Sequence, residues 1–145
     1  MICTEFELIA PWVCERARSQ LPRPLYATAI GEVVHGEVRA GVVYENYTGY
    51  SCIVNMAIEP GYQLRRDFVA AIFDYPFNQL GVEKIIVMIP TTNAKSLNIA
   101  GRMGFVEEAQ VADVFGRGVT MTIHGLYKDK CRFLGRRFSR LLEVA

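Results

Sequence analysis

The chain is poor in the residues that build metal and disulfide sites. Of its 145 residues, four are cysteine and two are histidine. Cys3, Cys14, Cys52 and Cys131 form no C-x-x-C pair, and the only histidine close to any of them is His124, ahead of Cys131. That scatter argues against a zinc site and a disulfide framework, and fits the reduced thiols of a cytoplasmic protein. Long apolar runs are missing too; none approaches the ~20 residues of a membrane span. The first residues, MICTEFELIAPWVCERAR, lack a basic leader and carry Glu5, Glu7 and Glu15, so no signal peptide is read there. Nor is there a large excess of one charge. The net charge of +1 points to no polyanionic partner. Residues 128–145 depart from that balance, with Lys128, Lys130, Arg132, Arg136, Arg137 and Arg140 against Asp129 and Glu143. A nucleic-acid role resting on so short a basic tail is disfavoured.

What is present is a globular composition. Hydrophobic residues make up 51% and charged residues 21%. A chain of this length forms a single domain, here 1–145, and buries roughly 70% of the surface its unfolded form exposes. Residues 4–18 carry Phe6, Ile9, Ala10, Val13 and Ala17 at helical spacing, interrupted by Pro11. YATAIGEVVHGEVRAGVVYENY reads as two strands turning at His35-Gly36, and YSCIVNMAIEP as a third. A helix follows over about 63–80, with a kink or early end near Tyr75 because Pro76 lies inside it. GVEKIIVMIP is a continuous apolar run of the kind buried on both faces of a sheet.

PTTNAKSLNIAGRMGF then packs a strand end, a helix and a strand start into one short segment. Thr92 or Asn93 can cap the helix, since a short side-chain oxygen accepts from the free amides of the first turn. Gly104 suits the left-handed turn beyond it. FVEEAQVADVF and VTMTIHGLY read as two more strands around Gly116-Arg117-Gly118. The tail CRFLGRRFSRLLEVA forms a basic amphipathic helix on Phe133 or Leu134, Phe138, Leu141 and Leu142. Because VTMTIHGLY would be an edge strand, the tail is expected to cover it or to make a homodimer contact.

This order, with NAKSLNIAGRMGF late in the chain, resembles the GNAT superfamily of acyl-CoA N-acyltransferases. The nearer likeness is to its ribosomal-protein N-terminal acetyltransferase branch and to small phage and bacterial GNAT proteins. Asn93, Ser96, Arg102, Met103, Gly104 and Phe105 carry it, and it spans residues 28–130 or so. The resemblance implies an α/β fold with a mixed central sheet of about six strands flanked by helices. It implies acetyl-CoA as cosubstrate, no metal, and an amine acceptor: a protein N-terminus, a lysine or a small amine. The chain departs from the usual pattern at three places, one of them Ala109, which stands in the glycine place of the branch's GFxxEG. Ala100 stands where many members have a tyrosine, and EPGYQLRRDFVAA lacks the glycine pair of the usual phosphate loop.

On this resemblance the backbone of Met56, Ala57 and Ile58 binds the pantetheine arm, and Asn93 hydrogen-bonds it. Asn93 reads equally well as a plain cap. Ser96 is the proton donor to the leaving thiolate, or else a serine of the helix start. The pyrophosphate falls on Gln63, Leu64, Arg65 and Arg66, where two arginines stand at a helix start with no Ser, Thr or Asn just ahead. Asn55 lies near the acyl end. Glu59, and Glu45 on the preceding strand, are the available bases, although either reads first as a surface carboxylate. His35 and His124 read as structural. The alternative function is a GNAT-shaped module that binds CoA or a protein partner without catalysis.

Overall fold

The computed structural model describes residues 1–144. Its centre is one seven-stranded mixed sheet, ordered β1-β2-β3-β4-β5-β7-β6. The strands are β1 (Ile2–Cys3), β2 (Ala27–Val34), β3 (Glu37–Glu45), β4 (Ser51–Ile58), β5 (Lys84–Pro90), β6 (Val106–Val111) and β7 (Met121–Tyr127). The helices are α1 (Phe6–Ala17), α2 (Arg66–Asp74), α3 (Ala94–Met103) and α4 (Arg136–Val144). The expected α/β class and order of elements are those observed. The strand not foreseen is β1, whose two residues pair with Gly31 and Glu32.

Side-chain alternation assigns the two faces of the sheet. Ile30, Ala40, Val42, Tyr44, Cys52, Val54 and Ile85 point to one face and pack under Phe68, Ile72 and Phe73 of α2, with Ala100 of α3 in the same cluster. Ala29, Val33, Val38, Val43 and Ala57 point to the other, against Ile9, Ala10, Val13 and Cys14 of α1. Helix α1 lies close to the sheet because two glycines face it. A Cβ on Gly31 would stand 2.3 Å from Ile9 Cδ1, and one on Gly41 2.5 Å from Val13 Cγ2. Any side chain there would push α1 outward. The helix continues past Pro11, which is exposed.

Helix α2 begins at Arg66 and ends at Asp74, passing into a single π turn over Tyr75–Gln79. Pro76 has no N–H to continue the α pattern, and Leu80 N donates instead to Tyr75 O at 2.9 Å. The early end near Tyr75 is therefore the one expected.

The tail behaves differently from expectation. Strand β7 lies inside the sheet, between β5 and β6, so it is not an edge in need of cover. The apolar face of the tail rests on its own domain. Phe133 stacks on Phe73, with ring centroids 4.6 Å apart, and Phe138 meets Phe133 edge-on at 5.3 Å. Both grounds for a homodimer contact through the tail thus fall away, while Arg136, Arg137 and Arg140 point outward as foreseen.

The free edge belongs to β6, which is shorter than its apolar pattern implied and exposed along its whole length. A bulge between Glu107 and Ala109 breaks its register with β7. At that bulge Glu108 reaches across Gly125 to pair with Lys84 at 2.7 Å.

Candidate functional site

The sheet is continuous except at one place. Strands β4 and β5 are parallel and paired only through Ser51–Ile53 with Lys84–Ile86. Beyond Ile53 they diverge, leaving one edge of Val54–Ile58 with no strand beside it. Its other edge is held by β3 as far as Ile58. A cleft of about 850 Å³ fills the splay. From the sheet it is lined by Val54, Asn55, Met56, Ala57 and Ile58 of β4 and by Val87 to Pro90 of β5. Ile72 and Phe73 of α2 and Ser96, Ile99 and Ala100 of α3 close it on one face. On the other face lie Arg16 to Arg18 at the end of α1. Backbone groups on an unpaired strand edge offer hydrogen bonds to any extended chain laid beside them.

The start of α3 forms a rim of this cleft. Asn93 is its N-cap, and the Asn93 side-chain oxygen accepts from Ser96 N at 3.1 Å. That leaves the amide nitrogen of Asn93 and the hydroxyl of Ser96, both residues of the cleft lining, without a protein partner among the described residues. At the far end Gly104 takes φ +100°, and Phe105 N donates to Ala100 O at 3.0 Å, the bond that closes a left-handed helix stop. The buried Phe105 then anchors the turn to the core and so fixes the angle of α3.

The expected site residues fall into two sets. Asn55, Met56, Ala57, Ile58, Asn93 and Ser96 all line the cleft. Gln63, Leu64, Arg65, Arg66 and Glu59 lie outside its lining, on the segment that leads from β4 into α2. Glu59 is held there by Arg39, which also pairs with Glu37 at 3.0 Å. The Glu59 hydrogen bond and charge hold the Arg39 guanidinium above its ordinary range. Glu45 lies closer to the cleft. Its Oε1 accepts from Asn55 Nδ2 at 3.0 Å, so this carboxylate reaches the cleft wall through Asn55.

One residue at the start of α2 went unread in the sequence. Glu32, on β2, is 1% exposed, and its carboxylate sits beneath the helix start. Arg65 Nε lies 3.7 Å from Glu32 Oε1, and Arg65 N points at Glu32 Oε2 from 3.4 Å. Burial, then the hydrogen bond to Glu32, raises the Tyr62 phenol above its ordinary range. The local cap missing from the sequence is thus answered in part by a carboxylate from a distant strand. Arg66 is different: its guanidinium lies 5.9 Å from the Phe138 ring and makes no ion pair among the described residues.

Two further features bound the chemistry. Among the described residues no group of three or more His, Cys, Asp or Glu side chains is placed to hold a metal ion. Among them, too, no helix is long and apolar enough to cross a membrane. All four cysteines are free thiols, and burial pushes Cys52 up to about 11. His124, in the core, bonds Thr122 Oγ1 at 2.8 Å and takes no part in the cleft.

No protein-family model and no curated protein sequence matches the chain. Solved structures do. A spermidine N-acetyltransferase from Vibrio cholerae, in complex with CoA and spermine, matches at 23% identity with a TM-score of 0.62, over 76% of this chain and 69% of that one. A chimera of the Vibrio cholerae enzyme SpeG and hSSAT matches at 23% identity with a TM-score of 0.64, over 78% and 74%. The likeness singles out no ribosomal-protein branch. The chain has the fold of the GNAT N-acetyltransferases.

Proposed function

We propose that this protein transfers an acetyl group from acetyl-CoA to a primary amine by direct attack in a ternary complex. The observation that carries this reading is the splay of β4 and β5, an open strand edge ending at the rim formed by Asn93 and Ser96. The backbone of Met56, Ala57 and Ile58 pairs with the amides of the pantetheine arm as an added strand would, and the Asn93 side-chain nitrogen donates to it. A β4 amide polarises the thioester carbonyl. The amine loses a proton, attacks the carbonyl carbon to form the C–N bond, and the C–S bond breaks. The Ser96 hydroxyl gives its proton to the departing thiolate and is reprotonated from solvent, so that the proton the amine gave up balances the one CoA takes. Glu45, held against the wall by Asn55, is better placed to receive the amine proton than Glu59, which Arg39 engages. Positioning and carbonyl polarisation carry most of the acceleration, so few charged groups are needed.

Acetyl-CoA in excess is expected to raise the melting temperature. A ligand at a hundred times its Kd adds about 2.7 kcal/mol, or roughly 5–10 °C for a chain of this size. Arg66→Ala is expected to reduce that shift more than Arg65→Ala, because Arg65 already faces Glu32 and Asp67. A wild-type protein that does not respond to millimolar acetyl-CoA rules the reading out. The second reading, a CoA-binding module without turnover, is favoured by Ala100, which leaves this helix without a phenol. It predicts the same thermal shift and no CoA release with any amine.

A further inference from the structure

The charged residues of the cleft are all of one sign. Among the described residues its lining holds Arg16, Arg18 and Lys95 and no aspartate or glutamate. Glu45 stands behind Asn55 and outside that lining. The three cations divide between the two faces of the cleft. Lys95 is on α3, beside Asn93 and Ser96, on the side given above to the cofactor. Arg16 and Arg18 are on the opposite face, where α1 ends over β4 and where Phe115 and Val119 of the β6–β7 turn complete the wall.

Neither arginine is taken up by a strong ion pair. Arg16 lies over Trp12, its guanidinium carbon 4.0 Å from the ring centroid, with Nη1 donating to Trp12 O at 3.2 Å. Its one carboxylate neighbour, Glu15, is 3.8 Å away and largely exposed, a geometry that contributes little. The ring contact restrains the side chain, and no second hydrogen bond from the guanidinium is found among the described residues. Arg18 occupies the left-handed C-cap of α1, at φ 53°, a backbone turn that sends the residue away from the helix axis. Two arginines at a helix C-terminus also serve the helix dipole, but that role does not require them to face a cleft.

We infer that the acceptor amine belongs to a molecule that also carries carboxylate, met by Arg16 and Arg18 while the amine reaches Asn55. This rests on the acyltransferase reading and narrows it. A polyamine, the kind of molecule in the names of the structural neighbours, brings only positive charge to a mouth lined by arginines. An acidic amino acid or a peptide with an acidic residue next to its free N-terminus brings the complementary sign, and guanidinium binds carboxylate in a forked pair of hydrogen bonds.

The full chain decides this with acetyl-CoA and four acceptors: glutamate, the C-terminally amidated tripeptides Ala-Glu-Ala and Ala-Lys-Ala, and spermidine. CoA release is followed for each, and the melting temperature is recorded with CoA plus each acceptor. The expected result is a kcat/KM for the acidic peptide or glutamate at least about tenfold above that of spermidine and of the lysine peptide. Which of the two acidic acceptors leads tells a small-molecule source from a peptide one. The preference is expected to shrink with added salt. The double substitution Arg16→Glu with Arg18→Glu, both on exposed side chains, is expected to invert it. Spermidine equalling the acidic acceptors, in turnover or in the further rise of melting temperature, overturns the inference. So does a folded double variant with unchanged ranking. A protein whose melting temperature ignores acetyl-CoA overturns the acyltransferase reading and this inference together, a result distinct from a wrong ranking.

Discussion

Phe133→Ala is expected to lower the melting temperature by about 10 °C. The ring is buried in a stack with Phe73, itself fully buried, at an interplanar angle of 9°, and Phe138 closes the cluster at 73°. Truncating such an aromatic costs about 3–5 kcal/mol, since the transfer of the ring and the cavity it leaves both count. For a chain of this length each kcal/mol moves the transition by roughly 2–4 °C. Arg137→Ala and Arg140→Ala serve as controls; their side chains are exposed and the expected change is within about 0.5 kcal/mol. Because the tail packs on its own domain, the wild-type transition is also expected to be independent of protein concentration. A Phe133→Ala shift below ~2 °C would mean that the tail adds nothing to the core.

Ser96→Ala is expected to reduce kcat about 100-fold while acetyl-CoA affinity stays within a few-fold. The structure makes this a clean substitution. The start of α3 is held by Asn93 accepting from the backbone N–H of Ser96, and alanine keeps that N–H. What is removed is the hydroxyl of a residue in the cleft lining. An acid acting on the departing thiolate contributes in the transition state and little in the ground state, so the loss appears in kcat. Ser96→Thr, which retains a hydroxyl, should recover part of the rate. Equal kcat in Ser96→Ala and wild type would leave Ser96 as a residue of the helix start alone.

Local chemistry was legible in the sequence, and distant pairing was not. The cap at Asn93, the stop at Gly104, the turn at His35-Gly36 and the early end of α2 at Pro76 each depend on a few adjacent residues. All appear as read. Glu32 could not be found that way, because it meets Arg65 only after the sheet has brought β2 beneath the start of α2. The same holds for β7. Its alternating pattern says that one face is buried, but not which strands flank it, so the expectation of an edge was wrong. For the site, Asn55 to Ile58 and the pair Asn93 and Ser96 do converge on one cleft. Arg16 and Arg18 were missed, since in sequence they look like ordinary cations closing a helix.

The two ends of the sheet bear on how the protein behaves at high concentration. An exposed strand edge is a template on which further chains can add and aggregate. At one end β1 has two residues, too few to seed a ladder. At the other, β6 offers Val106 and Val111 to solvent, which alone would be a hazard. The bulge at Glu108 breaks its hydrogen-bonding rhythm, and Glu107, exposed on the same strand, puts a charge where an incoming chain would have to pair. Growth of the sheet is thus stopped by length on one side, and by charge and broken register on the other.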